Sequence, residues 1–145
     1  MNLSRSQLWG KFWTRFNEAV KEKNIHFKPQ KNWNRNYYLI KLGIAGCYIG
    51  IDLIQRENRI RVGLFMQDQI DLYNKLSIYK EKIDSEVNTN LIWGIMKNGR
   101  AARACMYLED FDLYDEFDYP IFINILISYS DKYYLVFKKY LDFCR

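Results

Sequence analysis

The 145-residue chain has a single histidine, His26. That excludes HExxH metalloprotease sites and multi-histidine metal centres, which need the imidazole more than once, and a His-based catalytic triad, which would rest on His26 alone, is not expected either. Cysteine is also sparse: Cys47, Cys105 and Cys144 are widely spaced, odd in number and free of any CxxC. A disulfide framework and a structural zinc site are therefore not expected, and a reducing cytosol fits. Buried small hydrophobes are the default for all three, because a cysteine nucleophile would have only His26 as an activating base. The glycines fall into neither GxxxxGK[ST] nor GxGxxG, so phosphate-loop chemistry is missing, and Gly43-x-x-Gly46 is read as a turn. No run approaches about 18 uninterrupted apolar residues, and no apolar stretch follows a basic start, so neither a transmembrane helix nor a secretory signal is expected. No repeat, low-complexity tract or linker divides the chain, which reads as one domain over residues 1–145 with a cytoplasmic location.

What is present is apolar and aromatic. Hydrophobic residues make up 49% and aromatics 17%, enough for a chain of this length to bury roughly 70% of its unfolded surface. The net charge of +5 is uneven. Lys21, Lys23, Lys28, Lys31, Arg35 and Lys41 face only Glu22 between residues 21 and 41, and Lys97, Arg100 and Arg103 form a second basic cluster. Glu109, Asp110, Asp112, Asp115, Glu116 and Asp118 then follow with no cation among them. Such asymmetry bears on partners and association rather than on fold.

Periodicity sets out the elements. Ser4 and Gln7 make an S-x-x-Q capping box, with Leu3 and Leu8 at the staple positions. Leu8, Trp9, Phe12, Trp13, Phe16, Ala19 and Val20 follow at helical spacing, predicting a helix from about residue 5 to 23. A polar loop over 24–36 holds Pro29. Strands are expected over 37–42, 48–55 and 59–66. Ile49, Ile51, Leu53, Ile60, Val62, Leu64 and Met66 point inward, Arg59 and Arg61 outward, and Glu57-Asn58 makes the turn. A second helix is expected from an Asp68 N-cap through Leu72, Leu76, Tyr79, Ile83 and Val87. The Asn98-Gly99 turn joins strands over 91–96 and 101–108. An acidic, solvated loop leads to a last helix opened by Pro120. The order is α-βββ-α-ββ-α: an α+β domain whose largely antiparallel five-stranded sheet packs against helices.

That order invites comparison with restriction-endonuclease-like nucleases, which hold Mg²⁺ with an acid on the second strand and an acid-x-Lys on the third. Here Asp52 stands on the second strand, but Arg59-Ile60-Arg61 occupies the third, and Glu57-Asn58-Arg59 puts a non-titrating arginine where lysine is needed. Asp110-x-Asp112 lacks the mid-loop glycine and terminal glutamate of a calcium loop. No catalytic residue, metal site or cofactor is assigned. Whether the chain is an enzyme stays open, with a non-enzymatic role preferred. The basic loop is the most suggestive feature: Lys28, Lys31 and Arg35 interleave with Phe27, Trp33, Tyr37 and Tyr38. Cations with aromatic rings suit phosphates and unstacked bases.

Phe12-Trp13-Thr14-Arg15-Phe16, Arg61-Val62, Asn74-Lys75-Leu76, Lys80-Glu81-Lys82-Ile83-Asp84, Leu91-Ile92-Trp93 and Val136-Phe137 stand in an order and spacing that resemble a prokaryotic family, the domain of unknown function 4268. The resemblance covers nearly the whole chain. The chain departs from the family in Asp84, where Glu is expected, and in its aromatic-acidic loop. The resemblance implies modules attached to restriction-endonuclease-like nuclease domains or standing alone, near foreign-DNA defence, and it carries no catalytic residues. The element order is also similar to that of type III secretion chaperones, which are small dimers that bind partner chains. The expectation is an interaction or accessory module with a protein partner or homodimer, using the basic loop and the outward face of the sheet, with Arg59, Arg61, Arg100 and Arg103 as candidates. The alternatives are a direct nucleic-acid binder using Lys28, Lys31, Trp33, Arg35, Lys97 and Arg100, and a degenerate nuclease relying on Asp52 and Glu57.

Overall fold

The computed structural model describes residues 3–31 and 34–145. Helix α1 spans Arg5–Glu22 and opens on the anticipated box: the Ser4 N–H donates to Gln7 Oε1 at 2.8 Å, and the Gln7 N–H donates to Ser4 Oγ at 3.3 Å. Its buried stripe is Leu8, Phe12, Trp13, Phe16 and Val20. The strands β1 (Tyr37–Lys41), β2 (Cys47–Ile54) and β3 (Arg59–Gln67) form a meander. Asn58 makes the β2–β3 corner in the left-handed region at φ 51°, which asparagine tolerates better than most residues. The hairpin β4 (Ile92–Ile95) and β5 (Ala101–Leu108) adds its second strand to β3, so the sheet order is β1-β2-β3-β5-β4, antiparallel throughout. At the hairpin turn Gly99 has φ 69°, and the Asn98 carboxamide oxygen accepts from the N–H groups of Arg100 and Ala101.

Alternation divides the sheet into two faces. Inward residues Ile49, Ile51, Leu53, Ile60, Val62, Leu64, Met66, Ala102 and Ala104 are at most 1% exposed. Helix α4 (Tyr119–Cys144) lies over this face and carries Leu126, Tyr133, Phe137 and Leu141 into the core. Spacing predicts a buried face of Phe122, Leu126, Tyr129, Tyr133, Phe137, Tyr140 and Leu141; Leu126, Tyr133, Phe137 and Leu141 are buried, Phe122, Tyr129 and Tyr140 are half-buried, and Ile123 and Ile127 are buried in addition.

The expected second helix is two helices, α2 (Ile70–Ser77) and α3 (Lys80–Val87). The chain breaks where the Tyr79 N–H turns back to the Leu76 carbonyl at 2.9 Å, a tighter 3-10 type bond. The break lets the Tyr79 ring pack 5.9 Å from Tyr140 and 5.4 Å from Phe143, and both helices then rest on α4. No proline or glycine marks this bend. Asp68 is not the N-cap: it takes φ 56°, its N–H donates to the Arg100 carbonyl, and α2 begins after Gln69 without a side-chain cap.

The acidic loop is not simply solvated. Phe111 and Leu113 alternate with its carboxylates and are buried. The Phe111 ring meets Phe12 at 5.4 Å and Phe122 at 5.0 Å, and the Tyr119 hydroxyl donates to the Leu113 carbonyl. Glu116 is tied to α1 through Lys11 at 2.5 Å and Arg15 at 3.4 Å. The hydrogen bond from Lys11, aided by the Lys11 and Arg15 charges, outweighs the opposing desolvation and holds the Glu116 carboxyl below its ordinary range.

Candidate functional site

The outward face of the sheet gathers three of the nine residues singled out above. Register places Asp52 beside Arg61 and Arg61 beside Tyr107; the next outward row runs Lys41, Tyr48, Phe65, Arg103. Arg61 Nε donates to Asp52 Oδ2 at 3.1 Å. Burial pulls its guanidinium down, but the Asp52 charge and hydrogen bonds to Tyr107 and Asp52 outweigh this and raise it. Arg59 lies 3.8 Å over the Tyr107 ring and pairs with Glu57 at 2.6 Å and Glu109 at 3.7 Å. Arg103 sits 5.8 Å over Phe65. Among the described residues neither Arg103 nor Lys41 has a carboxylate within 4.0 Å. Two of the four cations on this face are thus spent internally, and Lys41 and Arg103 retain their outward charge.

The basic loop does not form one surface. Its first part lies on α4: the His26 N–H donates to Asp131 Oδ1 at 2.7 Å, the His26 ring contacts Asp131 Oδ2 at 3.0 Å, and Phe27 packs on Tyr134. Its second part follows the β1 edge, where the Gln30 N–H donates to the Tyr38 hydroxyl at 2.6 Å. There Gln30, Lys31, Tyr37, Lys41 and Tyr48 line a groove of about 410 Å³. Arg35 turns onto Tyr37, donating to its hydroxyl at 2.5 Å. Lys28 is exposed before this edge, and Trp33 lies outside the described residues. Lys97 and Arg100 occupy the exposed β4–β5 turn. Arg59, Arg61 and Arg103 share the open face, Lys31 joins it at the edge, and Lys28, Lys97 and Arg100 stand apart. Sequence reasoning named the cations and passed over Tyr48, Phe65 and Tyr107, although strand alternation places them on the same face as the arginines.

A second surface was not anticipated. Phe117, in a 3-10 turn at Glu116–Asp118, is 87% exposed, and Ile121 and Ile125 follow at spacings of four, 56% and 37% exposed. Tyr114 is exposed just before them. The ridge continues the outer face of α4 beside Asp112, Asp115 and Asp118. Asp112 and Asp115 accept the N–H groups of Tyr114 and Phe117, and among the described residues none of the three is ion-paired.

The nuclease pattern does not assemble. Asp52 faces Arg61 and Glu57 faces Arg59, so both carboxylates are neutralised by guanidinium groups that do not titrate. Among the described residues no three His, Cys, Asp or Glu side chains converge to hold a metal ion. Burial pushes the Cys47 and Cys105 thiols up, which keeps them protonated rather than nucleophilic. No described helix is long and apolar enough to cross a membrane.

The fold defines an α+β domain whose antiparallel sheet keeps one face for its helices and leaves the other open. The chain belongs to the family described as "Domain of unknown function (DUF4268)", whose model matches residues 9–141. Comparison with curated proteins and with solved structures gives no match.

Proposed function

We propose that this chain is a non-enzymatic interaction module that receives a basic amphipathic helix from a protein partner on the ridge Phe117–Ile121–Ile125. An accessory place beside nucleic-acid-processing proteins belongs to the same proposal. The observation that carries it is three large apolar side chains at spacings of four, Phe117, Ile121 and Ile125, open to solvent and led by an aromatic ring that is 87% exposed. Contiguous apolar exposure of this kind marks interaction sites. Each such side chain, once covered, contributes roughly 1.5–3 kcal/mol. The unpaired Asp112, Asp115 and Asp118 alongside select a cationic partner. A synthetic amphipathic helix of leucine and lysine tests this by fluorescence anisotropy. The wild-type chain binds it; Phe117→Ser with Ile121→Ser weakens binding at least about tenfold, the equivalent of 1.4 kcal/mol, while melting unchanged. Equal binding by the double variant, or equal binding of a leucine–glutamate helix, overturns the proposal.

A second reading rests on the groove at the β1 edge and its continuation across the face. Lys31, Lys41 and Arg103 alternate with Tyr37, Tyr48 and Phe65, the combination that binds single-stranded nucleic acid by charge and stacking. A labelled oligothymidylate measured across a salt series checks it. Affinity should fall linearly in log salt, and Lys41→Glu with Arg103→Glu should lower the slope by roughly two. A flat salt response or an unaffected double variant refutes it.

A further inference from the structure

The strand β4 is the free edge of the sheet beyond β5. The Met96 N–H donates to the Ala101 carbonyl at 2.8 Å, and register sets Gly94 against Arg103 and Ile92 against Cys105. An antiparallel ladder alternates, so Ile92 and Gly94 bond to β5, whereas the N–H and C=O of Trp93 and Ile95 point away from the sheet. Among the described residues no hydrogen bond reaches those outward groups. Edge strands are ordinarily blunted by charge, proline or a bulge. β4 reads Ile-Trp-Gly-Ile in unbroken register and has none of these; only its length of 4 residues limits it. Ile92 is 59% and Ile95 48% exposed, on opposite faces of the strand. A Cβ at Gly94 would meet nothing within 4 Å, so nothing inside the chain requires glycine there. Glycine inside a strand commonly marks a place where another backbone comes close. The two ends of β4 carry opposite charge. Before it lies a hollow lined by Glu81 and Asp84 of α3 and by Asn90, and Asp84 Oδ1 accepts the Trp93 indole N–H at 3.0 Å. Lys80 and Lys82 do not line this hollow, and Glu86 is held by Lys139 at 2.8 Å. After β4 come Lys97 and Arg100 in the exposed turn. Among the described residues Glu81, Asp84, Lys97 and Arg100 have no opposite charge within 4.0 Å.

We propose that β4 pairs with β4 of a second copy of this chain, antiparallel about a two-fold axis at Gly94, so that the two sheets become one. In that register each outward N–H and C=O of Trp93 and Ile95 finds its complement on the second copy. Trp93 falls opposite Ile95 on the helix side of the sheet, and Ile92 opposite Met96 on the open side, both apolar pairs. Gly94 puts no side chain at the axis. Lys97 arrives opposite Leu91, beside the acidic hollow of the second copy, and the two-fold makes that contact twice. Any extended strand satisfies the hydrogen bonds. The end charges select a strand that is basic where β4 is acidic and acidic where β4 is basic, and β4 reversed is such a strand. None of these residues belongs to the ridge or to the β1-edge groove, so the inference stands apart from both readings above.

Sedimentation velocity of the full chain over a concentration series up to about 1 mM tests this. The wild-type chain should pass from monomer to dimer, and hydrogen exchange at the Trp93 and Ile95 amides should slow as the dimer fills. Ile95→Pro removes an outward N–H, leaves the bonds to β5 in place, and should abolish the dimer with the monomer still folded. Lys97→Glu alone and Glu81→Lys alone should each weaken the dimer about tenfold. An equimolar mixture of those two variants should restore it, because each then offers the charge the other needs. Both positions are exposed, so these variants fold even where the proline variant does not. Phe117→Ser with Ile121→Ser, which alters only the ridge, should leave the dimer as it is. A chain that stays monomeric throughout, a dimer that Ile95→Pro leaves intact or the ridge variant removes, or charge variants that pair with each other no better than with themselves overturns the proposal.

Discussion

Removing one oxygen from Tyr38 should cost far more than its size suggests. Its hydroxyl donates to Asn17 Oδ1 and accepts the Gln30 N–H, both at 2.6 Å, and Asn17 Nδ2 donates to the Gln30 carbonyl at 2.8 Å. These bonds lace α1, the basic loop and β1 together, while the ring packs against Trp13 and Phe16. Tyr38→Phe keeps the ring and strands a backbone donor and an amide acceptor. The expected loss is about 1–3 kcal/mol. For a chain of this length that lowers the melting temperature by roughly 3–10 °C. The Gln30 amide should also lose protection from hydrogen exchange, since its partner is gone.

The same residue makes an alkaline prediction. Burial pushes the Tyr38 hydroxyl up to about 12 from an ordinary 10.0, against a smaller opposing effect of the Gln30 N–H. Between those values the folded chain holds a proton that the unfolded chain releases, so stability is intact below pH 10 and falls as pH rises toward 12. The loss from this group is about 2.7 kcal/mol across the window. Tyr133, likewise pushed up to about 12 chiefly by burial, adds a similar fall. Urea denaturation between pH 9 and 12, roughly spanning that window, should show a shallower decline for Tyr38→Phe than for wild type. A variant melting within about 1 °C of wild type at neutral pH, an equally protected Gln30 amide, or an unchanged alkaline slope would refute the reasoning.

Gly50 and Gly63 face each other in register and should respond unequally to alanine. A Cβ at Gly63 overlaps the Ala104 carbonyl oxygen and the Cys105 backbone, so Gly63→Ala should destabilise by about 1–3 kcal/mol or more in urea titration. A Cβ at Gly50 meets only Leu39 and Phe65 side-chain carbons at 3.6 and 3.7 Å, ordinary contact, so Gly50→Ala should stay close to wild type. At the β2–β3 corner, Asn58→Ala should cost about 1 kcal/mol because of its left-handed backbone, while Asn58→Gly should be nearly neutral; paired thermal melts check both.

Much of the architecture was legible because local patterns and global packing agree. The Ser4–Gln7 box opened α1 where expected, since both bonds lie within one turn. Strict alternation through β2 and β3 announced which residues face the helices, because the pleat has a period of two. Turn signals marked the β4–β5 hairpin, whereas the pairing of β5 with β3 showed only in the folded sheet, and the family resemblance rested on motifs strung along nearly the whole chain. The break at Tyr79 was not legible. It depends on rings of α4 some sixty residues away, and nothing in residues 70–87 punctuates a helix. The acidic loop misled for a related reason: its charge pattern was plain, but the burial of Phe111 and Leu113 depends on a slot between α1 and α4 that exists only after folding.

The candidate surfaces divide in the same way. Composition and alternation by themselves determined that Arg59, Arg61 and Arg103 face outward. Only the tertiary structure decided which of these cations are neutralised, because Asp52, Glu57 and Glu109 reach them across strands and loop. It alone decided that Lys28 and Lys31 part company along the loop. The sequence dictates contacts a turn or a strand pair apart, since backbone geometry sets those distances. Whether charges are spent depends on residues far apart in the chain, and those distances are set only when the helices close over the sheet.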